Sequence, residues 1–103
     1  MSRPIRILFL LVLPAIALAQ TPTPTCASDN HKAFDFWVGE WTVSNSDGSL
    51  AGTNKITKVH NSCVVKEAWT SANKGFTGTS LNFYNPKKDQ WQQLWLDSSG
   101  SNL

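Results

Sequence analysis

The sequence predicts an all-β fold, an antiparallel up-and-down meander of about five short strands. Two observations carry that prediction. Beyond residue 30, runs rich in Val, Ile, Thr and aromatic residues alternate with the turn-forming stretches 45–48, 71–75 and 85–89. No stretch of ten or more residues beyond residue 19 keeps a helical period.

The N-terminus reads as an export leader. Arg3 and Arg6 precede an unbroken apolar run over residues 7–13, and Ala17-Leu18-Ala19 offers the small-x-small pattern that signal peptidase recognises. Residues 1–19 are therefore assigned as a signal peptide cleaved after Ala19. The stretch 7–19 is shorter than the roughly 20 residues that span a bilayer and is broken by Pro14, so no stable membrane anchor is expected. Residues 20–30, with Thr21-Pro22-Thr23-Pro24-Thr25, read as an extended linker to a domain over 31–103. The expected localisation is periplasmic or secreted.

Removing 19 of the 103 residues leaves 84, enough for one small domain. The formal charge of +2 belongs to Arg3 and Arg6; beyond them seven lysines balance seven carboxylates and no arginine remains. Such a chain lacks the basic face and forked phosphate contacts that nucleic acid requires, which excludes that partner class. Two cysteines, Cys26 and Cys63, in an oxidising compartment read as a disulfide worth roughly 3–4 kcal/mol by loop closure. A metal site from Cys26, Cys63, His31 and His60 lacks the close paired spacing of zinc ligands.

Asp29 or Asn30 is placed to cap a short helical turn through residues 33–37. Residues 40–43 then form a first strand, followed by a turn at 45–48. Residues 50–60 carry Thr53, Ile56, Thr57 and Val59 and read as a half-exposed second strand. Residues 63–70 alternate cleanly, with Cys63, Val65, Glu67 and Trp69 on one face and Val64, Lys66, Ala68 and Thr70 on the other. Residues 76–84 and 91–97 make the fourth and fifth strands around a loop whose Pro86 suits a type I turn. Trp37 and Trp41 are expected to seal the base if the meander closes into a barrel.

The segments Phe34-Asp35-Phe36-Trp37-Val38-Gly39-Glu40-Trp41, Gly52-Thr53-Asn54-Lys55-Ile56, Cys63-Val64-Val65-Lys66-Glu67-Ala68-Trp69, Gly78-Thr79-Ser80-Leu81-Asn82-Phe83-Tyr84 and Trp91-Gln92-Gln93-Leu94-Trp95-Leu96-Asp97 resemble a family of exported bacterial proteins of unknown function with a lipocalin-like (calycin) β-barrel. The resemblance covers about residues 31–103, and Gly39-Glu40-Trp41 is similar to the Gly-x-Trp of the first lipocalin strand. It implies further strands beyond the fifth, because about eight are needed to close a tube. The chain therefore reads as the N-terminal part of an incomplete barrel, or as a sheet that a partner completes. In the second case a dimer forms through the open edge of residues 91–97, which hold no Lys or Pro to block pairing.

Candidate functional residues follow from face sharing. Glu67 alternates with Val65 and Trp69, so an inward face would hold a carboxylate among apolar groups, able to anchor a ligand; if Lys66 faces inward instead, Glu67 is solvated. Alternation alone leaves that choice open. Trp91, Gln93, Trp95 and Asp97 share a face of the fifth strand, with Asn82 and Tyr84 placed to meet them from the fourth. Indole planes with amide and carboxylate groups between them suit a small organic ligand, whereas a filled core would use the same tryptophans for packing. Glu67, Trp69, Gln93 and Trp95 are the candidate ligand-binding set, and a filled structural or interaction domain is the alternative. No catalytic group is assigned, because His60, Ser62 and Cys63 stand too close along the chain for a triad. No cofactor is expected; a haem on His60 is the weakest reading.

Overall fold

A computed structural model describes Pro4 and residues 25–100. The assigned signal peptide, Pro4 apart, and the first part of the linker lie outside the described residues. The chain is all-β, with strands β1 (Gly39–Ser44), β2 (Leu50–Val59), β3 (Val64–Ser71), β4 (Thr77–Asn85) and β5 (Gln90–Asp97). They form one antiparallel sheet in the order β1-β2-β3-β4-β5. Each strand pairs with its sequence neighbours and β1 does not meet β5, so the sheet is open, as a five-stranded meander must be at barrel curvature.

Turn chemistry sets the connections. At the first hairpin Asn45 N–H donates to Ser49 O at 2.7 Å and Gly48 N–H to Asn45 O at 2.9 Å. Before β5, Asn85 Oδ1 accepts from the N–H groups of Lys87 at 3.0 Å and Lys88 at 3.3 Å, an Asx-type closure around Pro86. The β2–β3 connection is unusual. His60, Asn61 and Ser62 adopt φ values of 53°, 58° and 69°, three consecutive left-handed residues without a glycine. That conformation costs roughly 1–2 kcal/mol for each residue with a Cβ, somewhat less for Asn, so it needs outside support.

The support comes from the N-terminal segment. From Thr25 onward, the stretch read as a linker is seated on the sheet as a strap. The Cys26–Cys63 disulfide forms, with a Cα–Cα distance of 4.9 Å, and ties the strap to the residue that follows the left-handed turn. Asn61 Nδ2 donates to Thr25 Oγ1 at 2.9 Å beside it. The strap then turns at Ser28, whose Oγ accepts from His31 N–H at 3.3 Å and whose O accepts from Lys32 N–H at 3.1 Å; the helical turn expected over 33–37 has Phe34 at its N-cap and no side-chain cap, so neither Asp29 nor Asn30 caps it. A 3-10 turn, Asp35–Trp37, leads into β1.

Register decides which face is covered. Ile56 pairs with Glu67 and Glu67 with Ser80, while Asn54 pairs with Trp69 and Trp69 with Gly78. Asn82 stands opposite Gln93, and Ser80 opposite Trp95. This inner face holds the most buried side chains, Ile56, Val65 and Ser80, so the Glu67 face is the one turned inward. Two glycines make room on it. A Cβ at Gly52 would stand 2.7 Å from the Trp69 ring, and one at Gly78 would stand 2.3 Å from the Trp95 ring. Both indoles therefore occupy the space that a side chain at the glycine would need.

The outer face is different in character. Thr42, Thr53, Thr70 and Thr77 align as one cross-strand row over β1–β4, a β-branched ladder that suits a solvated pleat. Toward β5 the outer face becomes apolar, with Phe83, Leu94 and Leu96 all exposed. Trp41 does not seal a base. It is 44% exposed, and its Nε1 donates to Trp37 O at 2.7 Å, because an open sheet has no closed end to plug.

Candidate functional site

The inner face carries a continuous hydrogen-bonded belt across four strands. Asn54 Nδ2 on β2 donates to Glu67 Oε2 on β3 at 2.7 Å, and Ser80 Oγ on β4 donates to Glu67 Oε1 at 2.7 Å. Asn82 Nδ2 donates to Ser80 Oγ at 2.8 Å and to Val65 O at 3.0 Å. Gln93 Nε2 on β5 closes the belt with a 2.8 Å bond to Asn82 Oδ1. Asn54, Ser80 and Asn82 are all buried, so polar side chains occupy the centre that a sandwich or filled barrel would give to aliphatics. Among the described residues, Asn54 Oδ1 is buried without a hydrogen-bond partner.

At the strap end the belt opens into a cleft of about 440 Å³ lined by Phe34, Phe36, Trp37, Asn82, Trp91, Gln92 and Gln93. Its walls come from two places in sequence. The strap supplies Phe34, whose ring meets the edge of Trp91 at a centroid distance of 4.8 Å, and Phe36, which is 73% exposed. The sheet supplies Trp91 as wall and the Asn82 and Gln93 amides as floor. Trp91 is fixed by its Nε1 bond to Asn30 O at 3.1 Å. The strap is held against this end by Lys58 Nζ on Asp35 Oδ1 at 2.7 Å and by the Asn30 Nδ2 bond to the Tyr84 hydroxyl at 3.2 Å. Tyr84 in turn donates to Asp89, which raises its phenol above the ordinary tyrosine value.

The four residues expected to bind ligand are all on the inner face but play three different parts. Gln93 lines the cleft, and Glu67 is joined to it through Ser80 and Asn82. Trp69 and Trp95 cover Gly52 and Gly78, and Trp95 Nε1 donates to Asp97 Oδ2 at 2.7 Å. That bond and those from the Ser99 hydroxyl and N–H, the larger causes, hold Asp97 below the ordinary aspartate value. The chain is similar to no known family, curated protein or solved structure in the comparisons made.

Alternation placed Asn82 beside Gln93 but did not show the cleft's strap side, Asn54 or Ser80. Phe34 and Phe36 were legible as apolar residues of a short turn, but their meeting with Trp91 joins residues far apart in the chain. Among the described residues no group of three or more His, Cys, Asp or Glu side chains is arranged to hold a metal. Both cysteines are oxidised, and His31 is turned edge-on to Tyr84 at 5.2 Å. Among the described residues no helix is long and apolar enough to cross a membrane.

Proposed function

We propose that this protein binds a small, flat organic molecule in the cleft between the strap and the inner face, outside the cytoplasm in the periplasm or as a secreted protein. One observation carries the reading: aromatic rings from two separate segments wall a space of ligand size over two amide groups that can orient a guest. The exposure of Phe36 supports it, since a large ring left uncovered beside a cleft is surface that a ligand would bury. The disulfide supports an oxidising compartment. The meander in chain order, with Gly39 and Trp41 opening β1, supports kinship with a lipocalin-like barrel whose later strands would deepen the same cleft.

The test is titration with the neutral fluorescent probe N-phenyl-1-naphthylamine, which brightens in apolar surroundings. Saturable one-site brightening is expected, weakened about tenfold or more by Phe36→Ala, with little change in melting temperature, and by Gln93→Ala, which also lowers the melting temperature because it leaves Asn82 Oδ1 without its donor. Brightening that neither substitution alters would overturn the assignment. A second reading, a protein-interaction domain that dimerises through its edge, is favoured by a different observation: Phe83, Leu94 and Leu96 are exposed beside the unpaired side of β5.

A further inference from the structure

The geometry points to a ligand that carries a positively charged amine, seated against Glu67 and Asn54; this rests on the cleft binding reading above. Glu67 is half-buried, and its two oxygens accept from neutral groups only, the Asn54 amide and the Ser80 hydroxyl. The ion pairs among the described residues are Lys55 with Glu40 on the outer face and Lys58 with Asp35 at the strap. Lys58, the inner face's own cation, is thus committed elsewhere, and the Glu67 charge lacks a counter-ion. A carboxylate withdrawn from water without one is costly, and a cation that joins it recovers the loss.

The second, independent observation is Asn54 Oδ1. It belongs to a side chain only 9% exposed, and among the described residues it has no donor. Its amide orientation is fixed, because the carboxylate beside it can only accept and so takes the Nδ2 side. An acceptor pair of this kind, an anionic oxygen and a neutral one, matches an ammonium with several N–H donors and repels an acid.

Position fixes the shape of the guest. Glu67 is opposite Ser80, one step of two residues along β4 from Asn82 in the cleft floor, which is about 7 Å. A flat ring in the cleft with an amine at the end of a short alkyl tether spans that distance. The chemical class is therefore an arylalkylamine rather than an aryl acid or a neutral aromatic.

Isothermal titration of the disulfide-intact protein with three matched probes tests this: 3-phenylpropylamine, 3-phenyl-1-propanol and 3-phenylpropionate. The amine is expected to bind about tenfold or more tightly than the alcohol, with the acid weakest, and Glu67→Gln is expected to bring the amine to the level of the alcohol while leaving the alcohol unchanged. The wild-type ranking needs no variant, so a Glu67→Gln protein that fails to fold does not remove the test. Equal binding of amine and alcohol, or an amine preference that survives Glu67→Gln, would overturn the cation assignment and leave the cleft reading standing. If none of the three probes binds and N-phenyl-1-naphthylamine does not brighten, the cleft reading itself falls.

Discussion

Gly78 is where a single methyl group should do the most informative damage. Its Cβ would lie 2.3 Å from two atoms of the Trp95 ring and meets no backbone atom within the nearest contacts. Against that clash stands a gain, because Ala in a strand interior is favoured over Gly by roughly 0.5–1 kcal/mol. Overpacking typically costs about 1–3 kcal/mol, so Gly78→Ala should destabilise by about 1–2 kcal/mol net. In a Trp95→Leu background the clash is gone and the same substitution should stabilise by the propensity gain alone. The coupling energy is then about 2 kcal/mol, readable as a difference of roughly 8–16 °C in melting temperature for a domain this small. Gly52 is the control. A Cβ there meets Thr70 O, a backbone atom, at 2.3 Å as well as the Trp69 ring, so Gly52→Ala should stay destabilising after Trp69→Leu. Thermal unfolding of the two double-mutant cycles separates the cases, and a Gly78→Ala protein as stable as wild type would refute the packing of Trp95 on this strand.

Four further expectations can be checked on the same material. Cys26→Ser with Cys63→Ser should cost about 4 kcal/mol, from the 37-residue separation they close, measured by urea unfolding under oxidising conditions; an unchanged midpoint would deny the strap its anchor. Ser62→Gly should stabilise by about 1 kcal/mol in the same assay, because glycine adopts φ near 69° without strain. The melting temperature should fall on the acid side, since Asp47, held low chiefly by the Ser49 hydroxyl, and Asp97, held low chiefly by the Ser99 hydroxyl, contribute stability that is present above the ordinary aspartate value and lost as pH drops through their lower folded values; Asp47→Asn with Asp97→Asn should flatten that limb, and Tyr84→Phe should flatten the alkaline one, where stability present below the ordinary tyrosine value is lost as pH rises through the raised one. Leu94→Lys with Leu96→Lys should leave the fold intact and, if edge pairing occurs, shift sedimentation toward monomer; a concentration-independent monomer in the wild type would remove the dimer reading.

Much of the architecture was legible because strand signals are local. The alternation from Cys63 to Thr70 gave β3, and Pro86 beside Asn85 gave the last hairpin, since both depend on near neighbours in the chain. The face choice at Glu67 was not legible. It is set by cross-strand register, which places Glu67 between Ile56 and Ser80, and no property of β3 alone contains that information. Asn54 and Ser80 were passed over for a similar reason: their side chains are ordinary on a surface, and only the paired strands together make them interior; Asn82 was placed on the Gln93 face, but its burial was not legible. Residues 25–30 were read as linker from composition; the Cys26–Cys63 pairing tied that segment to the sheet, but its hydrogen bonds to Asn61, Tyr84 and Trp91 join residues far apart in the chain.

The polar belt also acts on the choice among alternative folds. In β4 the larger apolar residues, Leu81 and Phe83, are on the outer face, and Gly78, Ser80 and Asn82 point inward. By hydrophobicity alone a one-residue slip that swapped the two faces would be attractive, since it would bury Leu81 and Phe83. That slipped strand would leave Glu67 without Ser80 and Gln93 without Asn82, two polar groups of the inner face stranded among side chains that cannot answer them, and it would take Asn82 from Val65 O. The belt thus works as a proofreading key: it makes the correct alignment the one in which β2, β3, β4 and β5 answer one another, in a sheet whose aliphatic core is too small to enforce the choice.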